Sequence, residues 1–146
     1  MTITLDTSIF VEVILGQEKA EESQSLLNLV ATGGVNAVVS HFSIHAIGAI
    51  IRSQAKLSEF LKAVELSTGL TVYDTTLTDE QTIAILSAKI KLDLDDSVQY
   101  FVAKRTNSTS IVSFDRHFDG LDVPRREPFQ ILEDLRTRSK NGHRRR

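Results

Sequence analysis

The chain has no cysteine among its 146 residues, which excludes disulfides and any metal site built on thiolates. It has no apolar run of the roughly 18 residues that a membrane-crossing helix requires. Neither a GxxxxGK(S/T) loop nor a GxGxxG loop is present, so a backbone cradle for nucleotide phosphates is missing and kinase-like chemistry is disfavoured. No leader of basic and then apolar residues opens the chain. It begins directly with a strand-like stretch from Met1 to Asp6, and the expected location is the cytoplasm, with no membrane partner. Acid is absent beyond Asp134. Six basic residues, Arg136, Arg138, Lys140, Arg144, Arg145 and Arg146, lie there, which leaves residues 1–134 with 11 of the 17 basic groups against all 19 acids, a charge of −8 within a total of −2. An acidic body of that kind is no general phosphate-coating surface. The basic end, residues 136–146, reads as a disordered tail able to touch RNA or a partner.

What is present is ordinary for one folded domain, placed at residues 1–135: 41% hydrophobic and 25% charged residues, enough for a real core. Apolar spacing predicts strands at residues 2–5, 37–39, 70–73 and 110–113, with a weaker fifth at 122–126. Helices are predicted over residues 10–15, capped by Thr7 or Ser8, and over 18–30, 40–51 and 57–66. Another opens on a capping box of Thr78 and Gln81. The last two follow the acids at 93–96 and Pro128, the final one running through Leu135. Gly48 is read as allowing close packing and Gly69 as a helix stop. Strands alternating with helices predict an α/β fold, a mostly parallel sheet covered on both faces.

The stretch from Leu92 to Arg105 organises the chemistry. Asp93, Asp95 and Asp96 precede an apolar pattern at Val98, Phe101 and Val102, so acids sit at the N-terminus of a buried helix. One Asp suffices as an N-cap, which leaves Asp96 unexplained. Asp6 and Asp115 each follow a predicted strand, and ligands of open parallel sheets bind beyond the C-terminal strand edges. Asp6, Asp96 and Asp115 can therefore meet there. Carboxylates gathered in one pocket repel and either hold a cation or take up protons. Oxygen-only ligation suits Mg²⁺ or Mn²⁺, and such centres activate water for attack on phosphate esters.

The motifs Leu5-Asp6-Thr7-Ser8, the acidic helix start ending in Asp96 with Ala103 further along, and Ile111-Val112-Ser113-Phe114-Asp115 followed by Phe118 resemble the PIN-domain family. The likeness is greatest to the small VapC-type ribonucleases of toxin–antitoxin pairs, and it spans about residues 1 to 132. The resemblance implies a three-layer α/β/α sandwich and Mg²⁺-dependent hydrolysis of single-stranded RNA, with Asp6, Asp96 and Asp115 as catalytic metal ligands. It further implies an antitoxin protein as partner and a homodimer. The chain departs from the family at one position: a Glu usually stands six residues past a Ser like Ser40, and here that position is Ala46.

Other residues receive weaker expectations. Asp93 and Asp119 are candidate ancillary ligands, and Glu12 a candidate substitute for the missing acid. His45, within an apolar run, reads as a core histidine. His41 and His117 read as exposed candidates for RNA contact, Ser8 and Ser113 as orienting the acids or holding water, and Arg116, Arg125 and Arg126 as phosphate contacts. Two alternatives stand beside the nuclease: a PIN-fold RNA-binding or protein-interaction module without turnover, which Ala46 and the acidic body favour, and a metal-dependent phosphatase of small molecules.

Overall fold

A computed structural model describes residues 1–144. Short runs rich in β-branched and apolar residues form β1 (Thr2–Leu5), β2 (Asn36–Ser40), β3 (Leu70–Tyr73) and β4 (Ser110–Val112), and two arginines form a short β5 (Arg125–Arg126). They pair in the order β3-β2-β1-β4-β5, and every pairing is parallel. The helices are α1 (Thr7–Ile14), α2 (Ala20–Ala31), α3 (His41–Ile50), α4 (Gln54–Leu66), α5 (Leu77–Ile90), α6 (Leu94–Arg105) and α7 (Pro128–Arg144).

Alternation along the strands separates two cores. Ile3, Leu5, Ala37, Val39 and Val112 face Ile9 and Phe10 of α1, Leu26 and Val30 of α2, Ile44 and Ile47 of α3 and Ile131 of α7. On the opposite face Val38 packs with Ile83 of α5 and with Val98, Phe101 and Val102 of α6. Ile111 packs there with Tyr100, Ala103, Phe118 and Val123. Helices on both faces of a parallel sheet make the three-layer α/β/α sandwich. Strand order reverses between β1 and β4, the place where such sheets open a crevice at their C-terminal edge. Because α6 leads back to the start of β4, its N-terminus lies at that same edge.

Several local expectations are corrected. The capping box of α5 is Thr76 with Asp79, not Thr78 with Gln81. Thr78 lies inside the helix, its carbonyl accepting from the Thr82 hydroxyl. Neither Thr7 nor Ser8 caps α1; the N-cap residue is Asp6, and its side chain caps nothing. A Cβ on Gly48 would meet only the Leu57 methyl at 3.6 Å, an ordinary contact, whereas one on Gly69 would lie 2.3 Å from the Val35 carbonyl oxygen and 2.6 Å from that of Val30. Gly69 is thus where two backbones approach too closely for any side chain. The expected unstructured tail is helical as far as the description reaches: α7 continues to Arg144, with residues 136–144 exposed. Arg145 and Arg146 lie outside the described residues.

Candidate metal centre

Helix α6 is buried all round rather than on one oily face: Asp96, Ser97, Val98, Gln99, Tyr100, Phe101, Val102 and Ala103 are all buried. Its first turn divides the work among its acids. Asp93 is the N-cap, its Oδ1 accepting from the Asp96 N–H at 3.0 Å. The Asp96 side chain is left to face the sheet edge, and the residue is only 8% exposed. Its pKa is pushed up to about 6, first by burial and then by the neighbouring charges of Asp93, Asp115 and Asp6, while a hydrogen bond to His117 opposes the rise.

Asp6 and Asp115 are joined by one hydroxyl. Ser113 Oγ donates to Asp6 Oδ2 at 2.7 Å and accepts the Asp115 N–H at 2.9 Å. Ser8 supports the same point, its Oγ accepting the Phe114 N–H at 3.3 Å. Asp6 escapes the ordinary role of an N-cap because its side chain turns to Ser113. Asp115 caps the 3₁₀ turn Arg116–Phe118 through the His117 N–H at 2.9 Å, and the buried ring of Phe118 anchors that turn. His117 Nδ1 then stands 3.3 Å from Asp96 Oδ2 and 3.2 Å from Asp115 Oδ1. One ligand atom from each of Asp96, Asp115 and His117 falls within 4.8 Å of the others. Asp6 lies outside this tight set but near enough for its charge to act on Asp96.

Below the acids is a polar layer that the sequence pattern does not single out. Gln99 Nε2 donates to Ser43 Oγ at 2.7 Å, the Thr7 hydroxyl donates to Ser43 at 2.9 Å, and the Ser40 hydroxyl bonds Gln99 Oε1 at 3.2 Å. A Gln between Val98 and Phe101 was the available signal, because a buried amide needs partners. Ser43 shows that this face of α3 turns toward α1 and α6. Ala46, three residues on, lies on the same face.

The remaining candidates divide clearly. Glu12 does not replace the missing acid: its carboxylate accepts the Lys19 N–H at 2.9 Å in the α1–α2 turn. Asp119 is held by Arg125 Nε at 2.7 Å, and Arg125 also reaches Glu127 and the Ser113 carbonyl. Arg126 pairs with Asp134 at 2.7 Å. Of the three arginines considered for phosphate, Arg116 alone has no ion pair among the described residues, and it is exposed. His45 is exposed, not a core histidine; its ring lies 4.7 Å from that of His41, whose Nδ1 is 3.7 Å from Asp74. The donor set fits a hard dication. It presents carboxylate oxygens in excess of the cations that could neutralise them, and that excess adds to burial, the larger cause, in raising the Asp96 pKa.

Comparison with known proteins agrees with this architecture. No curated protein matches the chain in sequence. Among solved structures, a toxin–antitoxin complex from Klebsiella pneumoniae superposes with a TM-score of 0.67 at 15% identity, covering 86% of this chain and 97% of the other. The sarcin–ricin-loop-cleaving toxin VapC20 of Mycobacterium tuberculosis gives 0.63 at 15% identity over 78% and 90%. VapBC2 of Rickettsia felis, bound to a DNA fragment from its promoter, gives 0.62 at 15% identity over 87% and 98%. At such identities the likeness speaks for the fold. The family model described as the PIN domain matches residues 3–124, and with that match across most of its length the chain belongs to the PIN-domain family.

Proposed function

We propose that this protein is a metal-dependent endoribonuclease that hydrolyses phosphodiesters in single-stranded RNA, acting as the toxin of a toxin–antitoxin pair. The observation that carries the reading is Asp96, a buried carboxylate among the charges of Asp93, Asp115 and Asp6. A folded chain tolerates such repulsion where a cation normally offsets it. Asp6, Asp96 and Asp115 would hold the ion, Mg²⁺ or Mn²⁺, which when bound supplies an activated water and offsets phosphate charge. The chain's own residues do the positioning. Ser113 fixes Asp6 and Asp115 relative to each other, Asp93 aligns the first turn of α6, and the guanidinium of Arg116, without an ion pair among the described residues, is available to a flanking phosphate. The toxin–antitoxin neighbours support an antitoxin partner. A homodimer is supported by large apolar side chains left exposed on α3 and α4: Phe42, Ile50, Leu61 and Leu66.

A second reading has a specific observation in its favour. Ala46 provides no carboxylate on the face of α3 that turns toward the acids, so the fold serves equally as a binding module without turnover. A metal titration by calorimetry beside an RNA cleavage assay separates the two. For the nuclease, the parent binds metal and cuts single-stranded RNA, Asp96→Asn loses both, and Ala46→Glu tightens metal binding by about tenfold. Undiminished cleavage by Asp96→Asn would overturn the assignment of this cluster. A parent that neither binds nor cuts, beside an Ala46→Glu variant that does both, establishes the binding module.

A further inference from the structure

We propose that His117 is itself a ligand of the metal centre, making it a mixed carboxylate–imidazole site that prefers a first-row transition dication to Mg²⁺. The inference rests on the metal-centre reading of Asp6, Asp96 and Asp115 and names the ion that this site takes.

Three observations lead there. The first is spacing. Two ligand atoms each about 2.1 Å from one ion lie about 3.0 Å apart at a right angle and about 3.4 Å apart at the tetrahedral angle. His117 Nδ1 stands at 3.2 Å and 3.3 Å from the Asp115 and Asp96 oxygens, both edges of such a polyhedron. Charge-assisted hydrogen bonds between nitrogen and carboxylate are shorter, about 2.7–2.9 Å. A single Nδ1–H shared between two carboxylates is bent away from both and bonds each weakly, whereas a lone pair on Nδ1 and two carboxylate oxygens can all point at one ion between them.

The second is Asp96 itself. The residue is 8% exposed, and among the described residues its carboxylate has no hydrogen-bond contact apart from this ring. A carboxylate so deeply buried ordinarily collects several donors. The third is preorganisation. The His117 N–H is held by Asp115 at 2.9 Å and the next residue, Phe118, is locked in the core. The backbone of the candidate ligand is therefore fixed before any ion arrives, although its ring is 68% exposed. Imidazole is a poor ligand for Mg²⁺ and a good one for later first-row metals, which follow the order Mn²⁺, Fe²⁺, Co²⁺ in rising affinity.

The test titrates the full chain with Mg²⁺ and with Co²⁺ at neutral pH, for the parent, His117→Ala and Asp96→Asn, and records the proton NMR spectrum of the Co²⁺ form. The expected parent binds Co²⁺ at least about tenfold tighter than Mg²⁺. His117→Ala loses about tenfold in Co²⁺ affinity, with Mg²⁺ changed by less than about threefold. It also loses a paramagnetically shifted, solvent-exchangeable signal, that of the ring N–H of a Co²⁺-bound histidine. Unfolding in chelator checks that His117→Ala folds like the parent, as an exposed side chain should. Equal Co²⁺ affinity in the parent and His117→Ala overturns the inference, as does an equal loss for both metals. If Asp96→Asn also binds both ions as tightly as the parent, the metal-centre reading fails as well. If only Asp96→Asn loses binding, that reading stands and His117 is no ligand.

Discussion

Asp96 carries a heavy electrostatic burden. Its carboxyl titrates near 3.8 in the unfolded chain and is pushed up to about 6 in the folded one, by burial first and by Asp93, Asp115 and Asp6 next. The folded state therefore holds the proton more tightly. Between these two values it binds more protons than the unfolded state, so stability falls as pH rises from about 4 to about 6, and the full penalty applies above that window. Asp96→Asn removes the charge and with it the penalty. In chelator at neutral pH the variant should be more stable than the parent by roughly 1–2 kcal/mol, with the difference shrinking toward zero below pH 3.8. Urea unfolding at the two pH values measures it, and a variant less stable at neutral pH would count against strain at this site. Asp6, Asp96 and Asp115 drew attention in the sequence because each adjoins an apolar run that fixes a strand or helix. The polar layer of Thr7, Ser43 and Gln99 did not, since its partners lie 36 and 56 positions apart and no local pattern joins them.

At the level of elements, glycine and capping residues show what spacing reveals and what it conceals. Gly69 looks in sequence like a simple helix stop. In the fold it is the point where the chain entering β3 passes against the α2–β2 turn, with its N–H bonded to the Val30 carbonyl at 2.9 Å and its own carbonyl accepting from Ala37 at 2.8 Å. Gly69→Ala forces a methyl into two carbonyl oxygens and should cost about 3 kcal/mol, read as a lower urea midpoint with an unchanged slope. The α5 start lies two residues before the one that Thr78 and Gln81 suggest, because Thr-Thr-Leu-Thr-Asp-Glu-Gln contains two overlapping boxes. Tertiary contacts choose between them: Asp79 also meets the Tyr73 hydroxyl and Arg105. Helix α7 outruns its apolar stripe through Arg136, Arg138 and Lys140, residues that favour helix without burial. An expectation drawn from hydrophobic spacing ends where the spacing ends.

For the whole molecule, the three-layer sandwich was legible because short strands rich in β-branched and apolar residues alternate with helices, a pattern few architectures share. Association is another matter, for an exposed apolar side chain looks the same in sequence as a buried one. Phe42, Ile50, Leu61 and Leu66 stay exposed on α3 and α4, and the proposed homodimer predicts twice the chain mass by sedimentation at tens of micromolar, an order of concentration well above typical specific affinities. A clean monomer there would reject it. The Ser113 hydroxyl, which reaches Asp6 across 107 positions of chain and accepts the Asp115 N–H, also sets a schedule. During synthesis the ribosome delivers Asp6 first and then, 109 positions later, Asp115. At about 5–20 residues per second the interval is on the order of ten seconds. A nascent chain that has not yet reached Asp115 lacks one acid of the proposed centre, so whatever chemistry that centre performs is withheld until all three have been made.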